Sequence, residues 1–290
     1  MPGTTIILPF NMARTINSAA SWDFHFYNRM TYRVFRYFYW KTNRKAINNF
    51  RNTLGLAPLK KSILVKIDAE KILNIHAVSP SLIPRPKDWS PENEITGFLF
   101  IPPHKPEQFI PDQIHKELDE WISAGEKPVY IGFRSIPVPE PAKFKEIMRE
   151  LLTKSESRYI YCEGWSLPLN LSVNPRLFII KSVSHEWLFP RCRSAIIHGG
   201  SGTLAACLKV KIPVIVVSII ADQPWWGRII EKKKLGLHIP FRNLTSEKLI
   251  LAIKKIKNPE IINAVIQTGE KIDNDDGLNK TANLLEKFFS

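Results

Sequence analysis

The fold of this chain is decided by the stretch Ala195-Ile196-Ile197-His198-Gly199-Gly200-Ser201-Gly202-Thr203. Its apolar start predicts a buried strand over Ala195–His198, and the residues after the glycines predict a helix over Thr203–Val210. The glycines let a backbone approach a phosphate closely, and the amide groups of a helix N-terminus attract anions. The stretch therefore predicts a phosphate site at a strand-to-helix turn. A tight turn that holds no ligand is the alternative interpretation.

Outward from this turn, short apolar runs alternate with helical patterns. Strands are predicted at 129–133, 159–162, 177–181, 195–198 and 214–219, and helices at 113–124, 142–152, 203–210, 226–234 and 246–256. Continuous apolar strands that alternate with helices are typical of a parallel sheet covered on both faces. We therefore expect an α/β fold whose second part contains a doubly wound, Rossmann-like parallel sheet.

The first part of the chain has a different pattern. We expect a strand over Thr4–Leu8, a helix over Tyr27–Leu54 capped by Gly55, a loop over Ser79–Trp89 and a strand over Ile95–Ile101. Prolines and polar residues without a period follow at 102–106 and indicate a linker. We therefore divide the chain into residues 1–108 and residues 109–290. The final helix is expected to pack back on the first of these parts.

Positive charge is concentrated near the start of the chain. The formal net charge is +14, and residues 1–66 hold eleven basic residues against one acid, Asp23. Between Tyr27 and Arg51 there are seven basic and eight aromatic residues and no acid. Such a segment favours peripheral contact with an anionic membrane; a helix with a solvated basic face is the alternative. Nucleic-acid binding is not favoured, because no RNA-binding motif accompanies the aromatic residues.

Composition excludes several other classes of protein. No run of 18 apolar residues predicts a membrane span, and no leader-like segment opens the chain, so we expect a cytoplasmic protein. The three cysteines are odd in number and include no Cys-x-x-Cys pair. They therefore indicate neither a disulfide framework nor a zinc site.

A second polar segment, Ala221-Asp222-Gln223-Pro224, follows the next predicted strand. Because neighbouring strand ends of a parallel sheet share one crevice, Asp222 and Gln223 should lie near the glycine-rich turn. A carboxylate and an amide suit the adjacent hydroxyl groups of a sugar. An aspartate that only caps the following helix is the alternative.

These segments resemble the signature of a known family. The resemblance is carried by 186–190 (Glu-Trp-Leu-Phe-Pro), 198–203, Pro213 and 222–227 (Asp-Gln-Pro-Trp-Trp-Gly), with 84–86 and 129–135 upstream. They resemble the UDP-glycosyltransferases, and within them the sterol glucosyltransferase branch and its bacterial relatives. The resemblance implies the two-domain GT-B fold, with a nucleotide-sugar-binding C-terminal domain and an incomplete N-terminal Rossmann-like domain.

The resemblance also assigns the residues that would bind a UDP-sugar donor. They are Ser135, Ser182, Val183, His198, Gly200, Ser201, Gly202, Thr203, Asp222 and Gln223. His198, the glycine turn and Ser135 would contact the diphosphate, and Asp222 and Gln223 would hold hexose hydroxyls. The backbone around Ser182 would meet the uracil. UDP-glucose is the usual donor of that branch, and neither a metal nor a cofactor is required.

The activity implied is transfer of a hexose, with inversion, to a hydroxyl of a lipophilic acceptor such as a sterol. Inverting members use a histidine near the start of the N-terminal domain as base. His25, the first histidine here, has no glycine-rich loop or helix around it, so no base is assigned and the chain is expected to begin midway through that domain. A truncated UDP-sugar-binding chain without turnover, served by a separate N-terminal half, is the alternative. Arg134 stands where the family usually has glycine, and we expect it to pair with the diphosphate.

Overall fold

The computed structural model describes residues 25–87, 89–100, 112–166, 168–169 and 171–290. The predicted strand Thr4–Leu8 and the predicted linker at 102–106 lie outside the described residues. The described chain divides into two compact units. The first comprises residues 25–77, 85–96 and 281–290, and the second comprises 78–84 and 97–280. The domain boundary expected at residue 108 stays a prediction.

The first unit contains the long predicted helix. Helices α1 (His25–Thr53) and α2 (Ile63–Ala69) precede strands β1 (Asn74–His76) and β2 (Asn93–Ile95), which pair in parallel. Gly55 has a φ of +69°, and the amide of Leu56 donates to the carbonyl of Arg51 at 2.9 Å. This is the Schellman arrangement, so the predicted glycine cap is confirmed. The helix begins two residues earlier than expected, so the prediction that no helix includes His25 is wrong.

The predicted strand Ile95–Ile101 is wrong for all its described residues except Ile95. Strand β2 ends at Ile95, and the described residues after it are not extended into a ladder. Gly97 has a φ of +107°, and a Cβ atom there would stand 2.7 Å from the Cβ of Asp275. The left-handed backbone, which only glycine adopts without strain, ends the strand and allows this close approach.

The second unit contains the predicted parallel sheet. Its elements, in chain order, are α3 (Asp112–Ser123), β3 (Val129–Gly132), α4 (Pro141–Lys154), β4 (Tyr159–Cys162), β5 (Leu177–Ile180), α5 (His185–Leu188), β6 (Ser194–Ile197), α6 (Ser201–Lys209), β7 (Val214–Ser218), α7 (Gln223–Lys232), β8 (Gly236–Pro240), α8 (Ser246–Lys255) and α9 (Pro259–Asp273). Helix α10 (Gly277–Phe289) follows. The strand order is β5-β4-β3-β6-β7-β8, and every pair is parallel. The predicted doubly wound α/β sheet is confirmed.

The central strands are buried on both faces, which explains their continuous apolar sequence. Every residue of β3, β4, β6 and β7 is buried. Helix α4 adds Phe144, Met148 and Leu151, spaced by four and three residues, to the core on one face of the sheet. The cysteines Cys162, Cys192 and Cys207 are buried and free, so they act as small apolar residues.

The order of the strands locates a crevice. The chain runs outward from β3 through β4 to β5, then returns to place β6 on the other side of β3. The loops that follow β3 and β6 therefore leave the sheet in opposite directions. In doubly wound sheets, ligands bind at this switch point, beyond the carboxyl ends of the strands.

Candidate functional site

The switch point collects the polar residues that follow three neighbouring strands. Gly132 of β3 is paired with Ile197 of β6, so Arg134 and His198 leave adjacent strand ends. Strand β7 lies on the other side of β6, and Asp222 follows it. Neighbouring strands are about 5 Å apart, so these three loops border one crevice.

The turn after β6 is built for glycine. Gly199 has a φ of +91°, and a Cβ atom there would stand 2.6 Å from Cγ1 of Val216. Gly200 is the N-cap of α6, which begins at Ser201, two residues before the predicted start. The first N–H groups of a helix have no partner within it, so those of residues 201–203 point out of the N-terminal end of α6. A Cβ atom on Gly202 would meet no heavy atom within 4 Å, so open space lies beside this first turn.

His198 is held against this turn. The side chain is buried, and burial followed by the positive charge of Arg134 lowers its pKa, while the carboxylate of Asp222 opposes the shift. The ring is therefore neutral near pH 7 and carries one proton. Its Nδ1 has no hydrogen-bond partner among the described atoms, whereas Nε2 lies 2.5 Å from the position of a Cβ on Gly200. Nε2 is therefore the ring nitrogen that faces the glycine turn, where a ligand would meet it.

A second histidine lies below His198 and was not singled out from the sequence. His185 begins α5, stacks on Phe189 with ring centroids 4.2 Å apart, and its Nε2 lies 3.5 Å from the hydroxyl of Tyr130. Burial, with a smaller contribution from the positive charge of Arg134, lowers the pKa of His185 to about 3. His185 is thus a neutral residue packed between Tyr130 and Phe189. Its position directly before the segment 186–190 was the available sequence signal.

Asp222 is held at the entrance of α7. One carboxylate oxygen, Oδ2, accepts a hydrogen bond from Nε1 of Trp226 at 3.0 Å. The aspartate is the N-cap of α7 by position, but its side chain makes no capping hydrogen bond. The alternative interpretation, in which Asp222 only caps the helix, is therefore not what the structure shows. Oδ1 has no hydrogen bond among the described residues, so an acceptor atom is left for a ligand.

Gln223 is more deeply buried, with 2% of its surface exposed. Its Oε1 accepts hydrogen bonds from the amides of Ile219 (2.7 Å) and Ile220 (3.0 Å). The side-chain oxygen therefore fixes the loop after β7, and only the Nε2 group could donate to a sugar hydroxyl. The sequence predicted that the amide of Gln223 holds sugar hydroxyls, and the structure leaves only its NH2 group for that role.

The remaining predicted donor contacts lie along the same edge of the sheet. Ser135 follows Arg134 and is exposed. Ser182 and Val183 follow β5, two strands away from β3, where Ser182 is exposed and Val183 half-buried. Thr203 is buried in the first turn of α6. The structure thus brings His198, the glycine turn and Asp222 together, whereas Ser182 and Val183, the predicted uracil contacts, lie further along the edge.

The described residues offer neither of two further classes of site. They contain no group of three or more histidine, cysteine, aspartate or glutamate side chains that could hold a metal ion. None of their helices combines the length and the apolarity that a membrane crossing requires.

Comparison with known proteins shows which proteins this chain is similar to. Residues 166–274 match the family described as erythromycin biosynthesis protein CIII-like, C-terminal domain. The chain is 33% identical over 265 residues to sterol 3-beta-glucosyltransferase UGT80A2 of Arabidopsis thaliana, covering 90% of this chain and 40% of the relative. Sterol 3-beta-glucosyltransferase UGT80B1 of the same plant is 33% identical over 283 residues, covering 96% of this chain and 44% of the relative. These similarities confirm the expected resemblance to the UDP-glycosyltransferases.

Solved structures agree with this family on the fold. The glycotransferase of kitacinnamycin has a TM-score of 0.67 at 15% identity, covering 85% of this chain and 62% of its own. The calicheamicin glycosyltransferase CalG4 has a TM-score of 0.58 at 14% identity, covering 86% of this chain and 64% of its own. The expected resemblance and GT-B type of fold are confirmed, and the family is one of transferases. The chain spans less than half the length of both plant UDP-glycosyltransferases that it matches.

Proposed function

We propose that this chain binds a UDP-sugar in the crevice between β3, β6 and β7. The bound hexose is then transferred, with inversion, to a hydroxyl group of a lipophilic acceptor. Glucose is the expected sugar, because the plant relatives are named as sterol 3-beta-glucosyltransferases. A sterol is the expected acceptor for the same reason.

One observation carries the donor part of this proposal. A neutral histidine presents Nε2 beside a glycine turn and three unpaired helix amides at the switch point of the sheet. This arrangement offers several N–H donors and a positive helix end to an anion, and it suits a diphosphate. The free Oδ1 of Asp222 next to it offers an acceptor for a hydroxyl of the attached sugar.

Calorimetry with UDP tests the donor site. His198→Ala should weaken UDP binding by about 1–3 kcal/mol, the range of a hydrogen bond to a charged group. His115→Ala is the matched control, because its ring packs at a tilt against that of Trp187 (centroids 4.1 Å apart) and lies on α3, outside the loops of the crevice. Equal UDP affinity for wild type and His198→Ala would remove the assignment.

Transfer itself is tested by product formation from labelled UDP-glucose and a sterol. The alternative is a chain that binds the donor without turnover. One observation favours it: His76, a histidine of the first unit, is buried, with its ring 4.3 Å from that of Trp89 and Nε2 3.3 Å from Oδ1 of Asn93. A ring held in this way is a poor candidate for the acceptor's base. Turnover near 1 s⁻¹, an ordinary enzymatic rate, would exclude the alternative; UDP-glucose binding without product would support it.

We also propose that α1 contacts an anionic membrane surface, which suits a lipophilic acceptor. Three of its apolar side chains, Val34, Tyr37 and Phe38, share one face and are at least half exposed (50%, 62% and 56%). Lys41 and Lys45 continue that face and are exposed. No acidic residue occurs from 24 to 67. Aromatic rings beside unpaired cations are typical of interfacial helices.

A further inference from the structure

Arg134 has an unusual backbone conformation for its residue type. Its φ is +53°, in the left-handed region that favours glycine. Two lysines in the same region, Lys211 and Lys234, directly follow the C-caps of α6 and α7, where left-handed residues are ordinary. Arg134 instead follows a strand, as does Ala221, whose φ is +56°. A residue kept in a strained conformation beside a ligand crevice points to a function for that residue.

The strained conformation is imposed by the surroundings and not by the arginine side chain. The carbonyl oxygen of Arg134 accepts a hydrogen bond from the amide of Trp165 at 2.8 Å. Gly164 packs so closely against it that a Cβ atom on Gly164 would stand 2.3 Å from that oxygen. A glycine at 134 would adopt this turn without strain, so the backbone gives no reason for an arginine there.

The guanidinium of Arg134 is available to a ligand. The residue is exposed, and its side chain forms no hydrogen bond or ion pair with a residue that the structure describes. Its positive charge nevertheless acts on both His198 and His185 and lowers the pKa of each. The side chain therefore extends its field over the crevice, where the histidines themselves are uncharged.

We propose that Arg134 binds the diphosphate of the donor and supplies the positive charge of the site. This inference rests on the proposed function, because it requires a UDP-sugar in the crevice. A guanidinium can donate two parallel hydrogen bonds to phosphate oxygens, which neutral His198 cannot do. UDP has a terminal phosphate that the sugar no longer esterifies, so it carries more negative charge than UDP-glucose. Arg134 should consequently favour UDP more strongly than UDP-glucose.

The test measures stability and binding on the same variants. Arg134→Gly should keep or raise the melting temperature, because the strain is removed, and weaken UDP binding about 10- to 100-fold, the equivalent of one charged hydrogen-bonding group. Arg134→Lys should lie between Arg134→Gly and wild type. Lys234→Gly, which makes the same backbone change at the end of α7, should leave UDP binding unchanged. The loss for UDP-glucose should be smaller than the loss for UDP in Arg134→Gly.

The outcomes separate this inference from the proposed function. Wild-type chain that binds neither UDP nor UDP-glucose would overturn both. Wild type that binds UDP, with His198→Ala weaker and Arg134→Gly equal or tighter, would overturn the role of Arg134 alone and show that its side chain obstructs the site. If Arg134→Gly does not fold, Arg134→Lys and Arg134→Gln decide: UDP affinities equal to wild type in both would refute the proposal.

Discussion

We expect the substitution Gly202→Ala to raise the thermal stability of the protein and to weaken its binding of UDP. Gly202 is the second residue of α6, and a Cβ atom there would meet no heavy atom within 4 Å. The protein itself thus gives no packing reason for glycine at this position. We infer that the open space is where the diphosphate lies, against the amides of residues 201–203.

The expected magnitudes follow from this geometry. Alanine is favoured over glycine inside a helix by about 0.5–1 kcal/mol, which is the upper limit for the gain at the second residue of α6, and no clash in the structure offsets it. A change of 1 kcal/mol corresponds to about 2–4 °C in melting temperature for a domain of 150–250 residues. A methyl group in the space of the phosphate would lengthen its hydrogen bonds to the helix amides. Losing one such charge-assisted bond costs about 1.5–3 kcal/mol, so UDP should bind at least about tenfold more weakly.

Thermal unfolding followed by circular dichroism and calorimetry with UDP measure the two effects. Gly200→Ala is the matched comparison. The φ of −65° and ψ of 136° at Gly200 suit alanine, but its Cβ would stand 2.5 Å from Nε2 of His198. Gly200→Ala should therefore lose both stability and UDP affinity. Gly202→Ala with raised stability and unchanged UDP affinity would refute the placement of the diphosphate.

Three further predictions concern the sugar, the membrane and pH. Asp222→Ala should weaken UDP-glucose binding more than UDP binding, with Asp222→Asn as the variant that keeps an acceptor for Trp226; equal weakening by calorimetry would make Asp222 structural. Sedimentation with anionic vesicles should fall steeply as salt rises, because exposed charges are screened beyond about 8–10 Å, and Lys41→Glu should abolish it. Equal binding to neutral vesicles, or tighter binding to single-stranded RNA, would contradict the role of α1. The free energy of unfolding should fall as the pH drops from 6.5 towards 3. In this range the unfolded chain takes up a proton on His185 that the folded chain excludes. His185 can contribute at most about 1.4 kcal/mol per pH unit to this fall. Urea unfolding of His185→Phe at pH 7 and 5 should show a smaller loss than wild type; an identical loss would show that His185 does not cause it.

The central sheet could be predicted because its signal is local. Strands β3, β4, β6 and β7 are buried on both faces, so each appears as a continuous apolar run bounded by polar residues or glycine. Strand β8 was missed. It is an edge strand whose residues after Gly236 are only half-buried, and it contains His238 and Pro240, so the run is neither continuous nor alternating.

Helix α9 was missed although the sequence contains its start signal. The side chain of Asn258 accepts a hydrogen bond from the amide of Glu260 at 2.9 Å, and Pro259 occupies the first turn. An Asn-Pro pair before an acidic residue is a typical helix N-terminus. The strand expected to continue past Ile95 failed for a different reason. The left-handed conformation of Gly97 depends on its contact with residue 275, which is far away in the sequence.

The distribution of charge in the site could not be obtained from the sequence. The sequence predicts that His198 donates a hydrogen bond to a phosphate. The side chain of a histidine usually takes up a second proton near neutral pH. Burial between the sheet and the glycine turn keeps this one neutral, and burial keeps His185 beneath it neutral as well. A site for a diphosphate then needs its positive charge from elsewhere, and helix amides supply only a partial one. Among the described residues, Arg134 is the cation whose charge reaches both histidines. The proposed role of Arg134 would account for an arginine at a position where glycine is expected, with the strained backbone as its cost.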